Sequence, residues 1–510
     1  MVECNLPKVD VAGSSPVFRF FKFLGLKMKK ERCFIFFAIF VMIIGFIIRI
    51  KLFLSGRALW HDECSLAINI LNKNPFQYLT PLEHGQSAPP IFMGLTKIIT
   101  YIFKTNEYSL RCIPLLSSLA SIPIFFFIAL KIFKNKYTQI ISTFLFAINY
   151  QLIYYSQEFK QYSSDVLITL LCIYLLADID LKKLSLKKSF IYSIIFSIIP
   201  LISFPATFVL IAFIIIQIIK NKKDIIKQTL IISIFPIISA ILYTITTVLN
   251  TNSNMDFLKD YFKTSGFLGI NPLSWLINLK INYNYFFYPN KLLLFAIILT
   301  AIGFVLIIKN KRNNTQNLLL GTLCTSILFS FFQIYPMFER TSLYLIPAII
   351  FIIFTPFDYI QKNKPIKTIS TIFITFIFFI SYTPTYINNL FKINTFTNEY
   401  AKEAMKEIIS QYSYNDIIVY NTASDSEYSF YTQYFNFLPG NNIRINIQTT
   451  NQQKYNSILN QLPSNQTYWF YFPYSLSKYP ENSMLKNWSQ NKTVLFEKKY
   501  KSSLIMKVKL

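Results

Sequence analysis

Glycine and acidic residues are scarce in this sequence. Only 11 of its 510 residues are glycine, about 2% where roughly 7% is ordinary. Charged residues make up 15% of the chain against a usual share of roughly 25%. The 24 Asp and Glu face 50 Lys and Arg, a net charge of +26. A soluble chain of this length could not cover its apolar surface with so few charges. Disorder is excluded by a hydrophobic share of 53%. The six cysteines (Cys4, Cys33, Cys64, Cys112, Cys172, Cys324) are scattered and do not form a disulfide scaffold. No Walker A loop, haem-attachment CxxCH, metal-type HExxH or nucleic-acid module occurs. The basic excess forms neither a face nor a tail, as nucleic-acid binding would require. It sits in short clusters between apolar runs, which is a topology signal. What remains is a polytopic membrane protein, rich in Phe (52) and Tyr (33).

The apolar runs set the spans. Residues 1–32 carry Arg19, Lys22, Lys27, Lys29, Lys30 and Arg32 ahead of an apolar run at 33–54. That run has no small-residue cleavage site after it and is long enough to cross a bilayer, so it reads as a first helix, not a signal peptide. Further runs lie at 112–131, 137–155, 165–181, 189–203, 204–219, 225–250, 291–309, 317–335, 340–357 and 367–386, making eleven. The stretch 189–219 is divided because 31 residues of helix would measure about 46 Å, too long for a core of about 30 Å. Pro200 and Pro205 mark the break.

The positive-inside rule sets the orientation. With residues 1–32 cytoplasmic, the cytoplasmic turns hold Lys131, Lys134, Lys136; Lys182, Lys183, Lys187, Lys188; and Lys220, Lys222, Lys223, Lys227. They continue with Lys309, Lys311, Arg312 and Lys362, Lys364, Lys367, seventeen cations in five turns. The short turns on the other side hold two, Lys160 and Arg340. Counting the short apolar stretch 88–103 as a span would invert everything after it. It opens with Pro89-Pro90 and reads as an interfacial helix within one long outer loop, 55–110. The domains are then a cytoplasmic segment 1–32, a transmembrane domain 33–386 and a tail 387–510. The tail pattern reads as helix 398–411, strand 416–420, helix 426–435, strand 443–448, helix 451–462, and strands 468–474, 493–500 and 503–510. That is a small α/β domain outside the cytoplasm.

Charged groups on the outer side are few. The first loop carries Trp60-His61-Asp62-Glu63, where the carboxylates suit a general base with a metal or hydrogen-bonding partner. Asp62 also suits a plain helix cap. The same loop continues through Glu83-His84, a polar pair or an exposed turn. Arg111 opens the second span, either as a functional cation or snorkelling to headgroups. The turn Ser156-Gln157-Glu158-Phe159-Lys160-Gln161-Tyr162 and the pair Glu339-Arg340 complete the set. Together these residues map to one membrane face, with carboxylates for proton abstraction and cations for a phosphate. The span interiors are almost free of ionisable groups, which argues against an ion-coupled transporter.

This arrangement resembles the polytopic glycosyltransferases of the GT-C fold, and within them the family 39-like branch of protein O-mannosyltransferases and bacterial aminoarabinose transferases. The resemblance rests on the acidic pair Asp62-Glu63, the Pro-Pro element Gln86-Ser87-Ala88-Pro89-Pro90 and Arg111 in Ser-Leu-Arg-Cys-Ile-Pro. It extends to the Ser156-to-Tyr162 turn and to Arg340 in Glu-Arg-Thr-Ser-Leu-Tyr-Leu-Ile-Pro, covering about residues 30–360. The chain departs from the family in having Ala88 before Pro-Pro and Lys160 where Arg is common.

The resemblance implies an enzyme that moves a sugar from a polyprenyl-phosphate donor to an acceptor hydroxyl at the outer membrane surface, with inversion. Asp62 would be the general base, and Glu63 would orient the acceptor or help hold a divalent metal, whose requirement stays open. Arg111, Lys160 and Arg340 would face the donor phosphate, with Glu158, Tyr162 and His84 beside the substrates. The acceptor would be a lipid, a glycan or a protein. Together with the Lys/Asn/Ile-rich composition, the resemblance implies a bacterial plasma (inner) membrane. The alternatives are a lipid or polysaccharide transporter and a non-catalytic envelope-assembly protein.

Overall fold

The computed structural model describes residues 32–221, 225–245, 266–268, 271–286, 293–359, 400–447, 449–473, 481–500 and 504–510. The eleventh run at 367–386, nearly all of the 1–32 segment and the lysines at 222, 223, 362, 364 and 367 lie outside the described residues. The chain opens with α1 (Arg32–Phe53), followed by a loop carrying α2 (His61–Asn72) and α3 (Pro90–Phe103). Next come α4 (Glu107–Ile132), α5 (Lys136–Ala147), α6 (Tyr150–Tyr154), α7 (Tyr162–Leu176), α8 (Leu186–Phe196), α9 (Ile199–Ile202), α10 (Ala206–Asn221) and α11 (Ile226–Tyr243). The helical part continues through α12 (Pro272–Phe286), α13 (Leu293–Lys309), α14 (Asn314–Phe331) and α15 (Ile346–Tyr359). Ten of the eleven apolar runs fall on these helices or on adjacent pairs of them.

Four described stretches are long and apolar enough to cross a membrane: Cys33–Phe53, Glu107–Ile132, Ile226–Tyr243 and Glu339–Tyr359. The last begins as a 3-10 helix over Glu339–Leu345 and continues as α15. Tyr150–Gln157 and Tyr162–Leu176 are apolar as a pair and meet at 117°, at a break that holds Glu158, Phe159, Lys160 and Gln161. The expected interruption lies between α9 and α10, where Pro205 stands, while Pro200 sits in the first turn of α9. In α3, Phe92, Met93 and Thr96 face inward while Leu95, Ile98, Tyr101, Ile102 and Phe103 are exposed, the one-sided pattern of an interfacial helix.

The bundle is held by close backbone approach and by tied charges. A Cβ on Gly303 of α13 would lie 2.0 Å from the Ile352 carbonyl oxygen of α15, so only glycine permits this crossing. Arg49 of α1 is fully buried and donates to Ser118 Oγ of α4 (2.7 Å) and to the Ala147 carbonyl of α5 (2.6 Å). A guanidinium in this setting is tolerated because protein acceptors replace water. The sequence pattern misses α12, whose Asn278 and Asn282 interrupt any apolar run. Both asparagines are buried and donate to the Met337 carbonyl, at 2.8 and 2.9 Å.

The tail is an α/β unit. It comprises α16 (Ala401–Gln411), β1 (Ile417–Asn421), α17 (Asp425–Tyr434), β2 (Asn441–Ile445), α18 (Gln452–Leu459), β3 (Thr467–Phe472), α19 (Glu481–Ser489), β4 (Thr493–Lys499) and β5 (Leu504–Lys509). The five strands lie in the order β2-β1-β3-β5-β4. β1 is parallel to β2 and β3, while β5 is antiparallel to β3 and β4. Central β3 is buried along nearly its whole length, and edge strand β4 is largely exposed and carries Lys498 and Lys499, which disfavours edge pairing. Helix α19 is the tail element that the sequence pattern does not reveal. One hydrophobic core joins the tail to the first loop: Leu66, Ile70, Phe92 and Phe159 pack with Met405, Tyr431, Trp469 and Ile505.

Candidate active site

Helix α2 begins in the loop after α1. Trp60 has extended backbone (φ −93°, ψ 174°) and stands at the N-cap, so Asp62 lies within the first turn and does not cap the helix. Glu63 reaches back to accept from the Trp60 amide at 3.4 Å. Two adjacent carboxylates in a first turn are favoured by the helix dipole. At 3.6 residues per turn they point about 100° apart, toward different partners.

Glu63 points inward and is fully buried. Its carboxylate takes a two-point ion pair from Arg111, with Nε at 2.7 Å and Nη2 at 2.6 Å. It also accepts from the Phe159 amide at 2.6 Å and lies 3.8 Å from Arg57 Nη2. Burial pushes this carboxyl up, but Arg111, Arg57 and the hydrogen bonds outweigh it and hold it below its ordinary range. Two further Arg111 donors go to the carbonyls of Arg57 (2.6 Å) and Ala58 (3.1 Å), and the residue is 3% exposed. Arg111 is therefore engaged with Glu63 and with the loop that precedes α2.

Asp62 turns the other way. Its Oδ2 accepts from Arg340 Nη1 at 2.8 Å and lies 4.0 Å from Lys160 Nζ, with 22% of the side chain exposed. Burial pushes the carboxyl up, and Lys160, Arg340 and His61 together hold it below the usual carboxylate range. Lys160 comes from the break between α6 and α7 and donates to Gln86 Oε1 at 2.6 Å. Burial lowers its ammonium pKa despite Asp62. Arg340 comes from the 3-10 helix ahead of α15, and its guanidinium lies over the Tyr162 ring, 5.9 Å from the centroid.

Glu158 lies behind this group, fully buried. Its Oε1 accepts from the Trp60 indole at 2.6 Å, and Oε2 has no hydrogen-bond partner among the described residues. Burial and the Glu63 charge push its carboxyl up to about 7, against the pull of Arg57, Arg340 and Lys160.

The structure thus gathers Asp62, Lys160, Arg340, Glu158 and Tyr162 into one group. His84 differs: it has φ 55°, and its Nδ1 lies 3.5 Å from Ser426 Oγ of the tail domain. Arg57, Trp60 and Gln86 are participants that the sequence reading passed over. Arg57 and Trp60 were visible as the flanks of the acidic pair, and Gln86 as the start of the Pro-Pro element. Among the described residues no group of three or more His, Cys, Asp and Glu is placed to hold a metal ion. Asp62 and Glu63 do not fit a shared metal site, because both Glu63 oxygens are taken by Arg111, Trp60 and Phe159.

A long bundle of apolar helices, a long loop after α1 with its own helices and an appended α/β domain define an integral membrane protein of the GT-C fold. No protein-family model and no curated protein sequence matches the chain. The match comes from solved structures. ArnT from Cupriavidus metallidurans, bound to undecaprenyl phosphate, superposes with a TM-score of 0.52 over 94% of this chain and 98% of that one, at 9% identity. The apo state of the same protein gives a TM-score of 0.49 at 10% identity, over 93% and 97% of the two chains. Identity this low carries the fold alone.

Proposed function

We propose that this protein is an inverting glycosyltransferase that moves a sugar from a polyprenyl-phosphate donor to an acceptor hydroxyl at the outer face of the plasma membrane. The observation that carries this reading is Asp62, a part-exposed carboxylate 2.8 Å from Arg340 and 4.0 Å from Lys160. The undecaprenyl phosphate bound to the ArnT neighbour supports a donor of that class.

Asp62 takes the proton from the acceptor hydroxyl as its oxygen attacks the anomeric carbon. The bond from that carbon to the phosphate oxygen breaks, and the phosphate leaves with the electron pair. Arg340 and Lys160 stabilise the charge that grows on it. Both pair with Asp62 before the donor arrives, which keeps the carboxylate ionised at neutral pH. Glu63 and Arg111 position the segment, so neither needs to touch substrate. Glu158 and Tyr162 shape the wall behind the cations, and His84 serves the contact with the tail domain. The acceptor is a lipid, glycan or protein bearing a free hydroxyl. The N-terminal segment is cytoplasmic and the tail domain extracytoplasmic, consistent with seventeen cations in the cytoplasmic turns.

The test is a panel of radiolabelled polyprenyl-phosphate sugars incubated with purified protein in detergent, beside Asp62→Ala. Turnover of one donor, lost in the variant, is the expected result. Transport of a lipid or glycan that survives Asp62→Ala would overturn the enzyme reading in favour of a transporter. Loss of function on removal of 395–510 alone, with Asp62 dispensable, would favour an assembly protein.

A further inference from the structure

The chain has two histidines, His61 and His84, and both meet the first turn of α17 in the tail domain. Glu427 of α17 is fully buried, and its Oε1 and Oε2 lie 3.2 and 3.1 Å from His61 Nδ1. Beside it, Ser426 Oγ accepts from Ser65 Oγ at 2.7 Å, and Ser65 Oγ lies 2.9 Å from the His61 carbonyl. One turn further along α17, the Tyr431 hydroxyl accepts from the Leu59 amide at 2.8 Å. Residues 59, 61 and 65, which bracket Asp62, are thus all held by one helix of the tail. Lys402 of α16 adds an ion pair to Glu107 at the start of α4, 2.7 Å long.

A carboxylate removed from water needs a compensating charge or proton. For Glu427 the group placed to supply it is His61, whose Nδ1 lies within hydrogen-bond distance of both carboxylate oxygens. Burial lowers the His61 pKa, but its bond to Glu427 and the charges of Glu427 and Asp62 outweigh burial and Lys160, so the net direction is upward. The groups facing His61 are Glu427 from α17, Asp62 on its own helix and Lys160 from the break before α7. His61 keeps 37% of its side chain exposed, so it exchanges its proton with solvent.

We propose that Glu427 is a positioning residue for the transfer reaction: acting through protonated His61, the tail domain fixes where the adjacent Asp62 carboxylate sits. The inference rests on Asp62 being the general base. A folded-state pKa raised above the unfolded value gives a contribution that is complete at low pH and lost as pH rises through the raised value. The grip of α17 on residues 59–66 therefore loosens on the alkaline side.

The experiment uses the full chain in detergent as wild type, Glu427→Gln and His61→Gln. It has two readouts across pH: donor kinetics, and amide hydrogen exchange over residues 59–66 corrected for intrinsic rates. Wild type is expected to show a step in exchange as pH rises, with kcat falling through the same step, and the step persists in Glu158→Gln, which removes the other titrating group bonded to this segment. In Glu427→Gln the step disappears, and kcat at low pH drops about tenfold to a hundredfold while donor KM stays within about threefold. If Glu427→Gln does not fold, His61→Gln carries the test, with the step lost and exchange over residues 59–66 fast across the whole pH range. A wild-type pH profile and exchange pattern in the variants would overturn the proposal. So would a fall in kcat that only tracks the folded fraction. Full transfer by Asp62→Ala would remove the general base instead, while the exchange step would still report on the grip of α17.

Discussion

The Glu63 carboxylate and the Arg111 guanidinium, 48 residues apart in sequence, meet as a two-point ion pair at 2.6 and 2.7 Å, with side-chain exposures of 0% and 3%. This pair ties the start of α2 to the start of α4. It also explains how two adjacent carboxylates divide their tasks, one locked into the protein and one left facing cations.

Removing one member of that pair leaves an uncompensated buried charge. Glu63→Gln is expected to destabilise the protein by about 3–5 kcal/mol. Thermal unfolding in detergent should show a clear drop for Glu63→Gln and a smaller one for Asp62→Asn, whose side chain is 22% exposed. Equal, small shifts would mean the pair is not structural.

Arg340 and Lys160 differ in geometry and so in expected effect. Arg340 donates directly to Asp62 at 2.8 Å, whereas Lys160 lies 4.0 Å away and bonds Gln86. Arg340→Ala is expected to lower kcat by about 10²–10³, as for loss of one donor to a developing anion. Lys160→Ala should cost less, and Arg340→Lys should recover only part of the loss because a planar fork is replaced by a point charge. Steady-state kinetics with one donor checks all three.

The sequence pointed to these residues because the ionisable groups that the positive-inside reading assigns to the outer side are few. Asp62, Lys160 and Arg340 stood out by sidedness, and the structure brings them together across as many as 278 residues. The destinations of their neighbours were not legible. Helix spacing separates Asp62 from Glu63, but nothing local says which of them meets Arg111. The contact of His61 with Glu427 spans 366 residues, and no periodicity in α17 announces the face that covers the first loop. The apolar helices were read from run length, and α12 was missed because its buried asparagines break the run while serving the Met337 carbonyl.

Glu158 carries a pH signature. Its carboxyl is pushed up to about 7 from an ordinary 4.5, so the folded state holds a proton that the unfolded chain releases earlier. Its contribution is complete below the ordinary value and lost as pH rises through about 7. Glu158→Gln mimics the neutral acid and is expected to match wild type near pH 5 and to be more stable above pH 7, by unfolding at a series of pH values. A variant less stable than wild type at every pH would contradict this.

Gly303 tests the packing of the bundle. Its added Cβ would sit 2.0 Å from the Ile352 carbonyl, so Gly303→Ala must push α13 from α15. The expected cost is about 1–3 kcal/mol, with no direct effect on the cations near Asp62. Unfolding in detergent should fall while the donor KM of the folded fraction stays unchanged.

The most direct measurement compares wild type with Asp62→Asn in single-turnover transfer from one polyprenyl-phosphate sugar, with donor binding determined separately. Asparagine keeps the shape of the side chain and can still meet Arg340, but it cannot take a proton at neutral pH. The rate is expected to fall by about 10²–10⁴ while donor affinity changes little. Transfer by Asp62→Asn at the wild-type rate would contradict the assignment of Asp62 as the base.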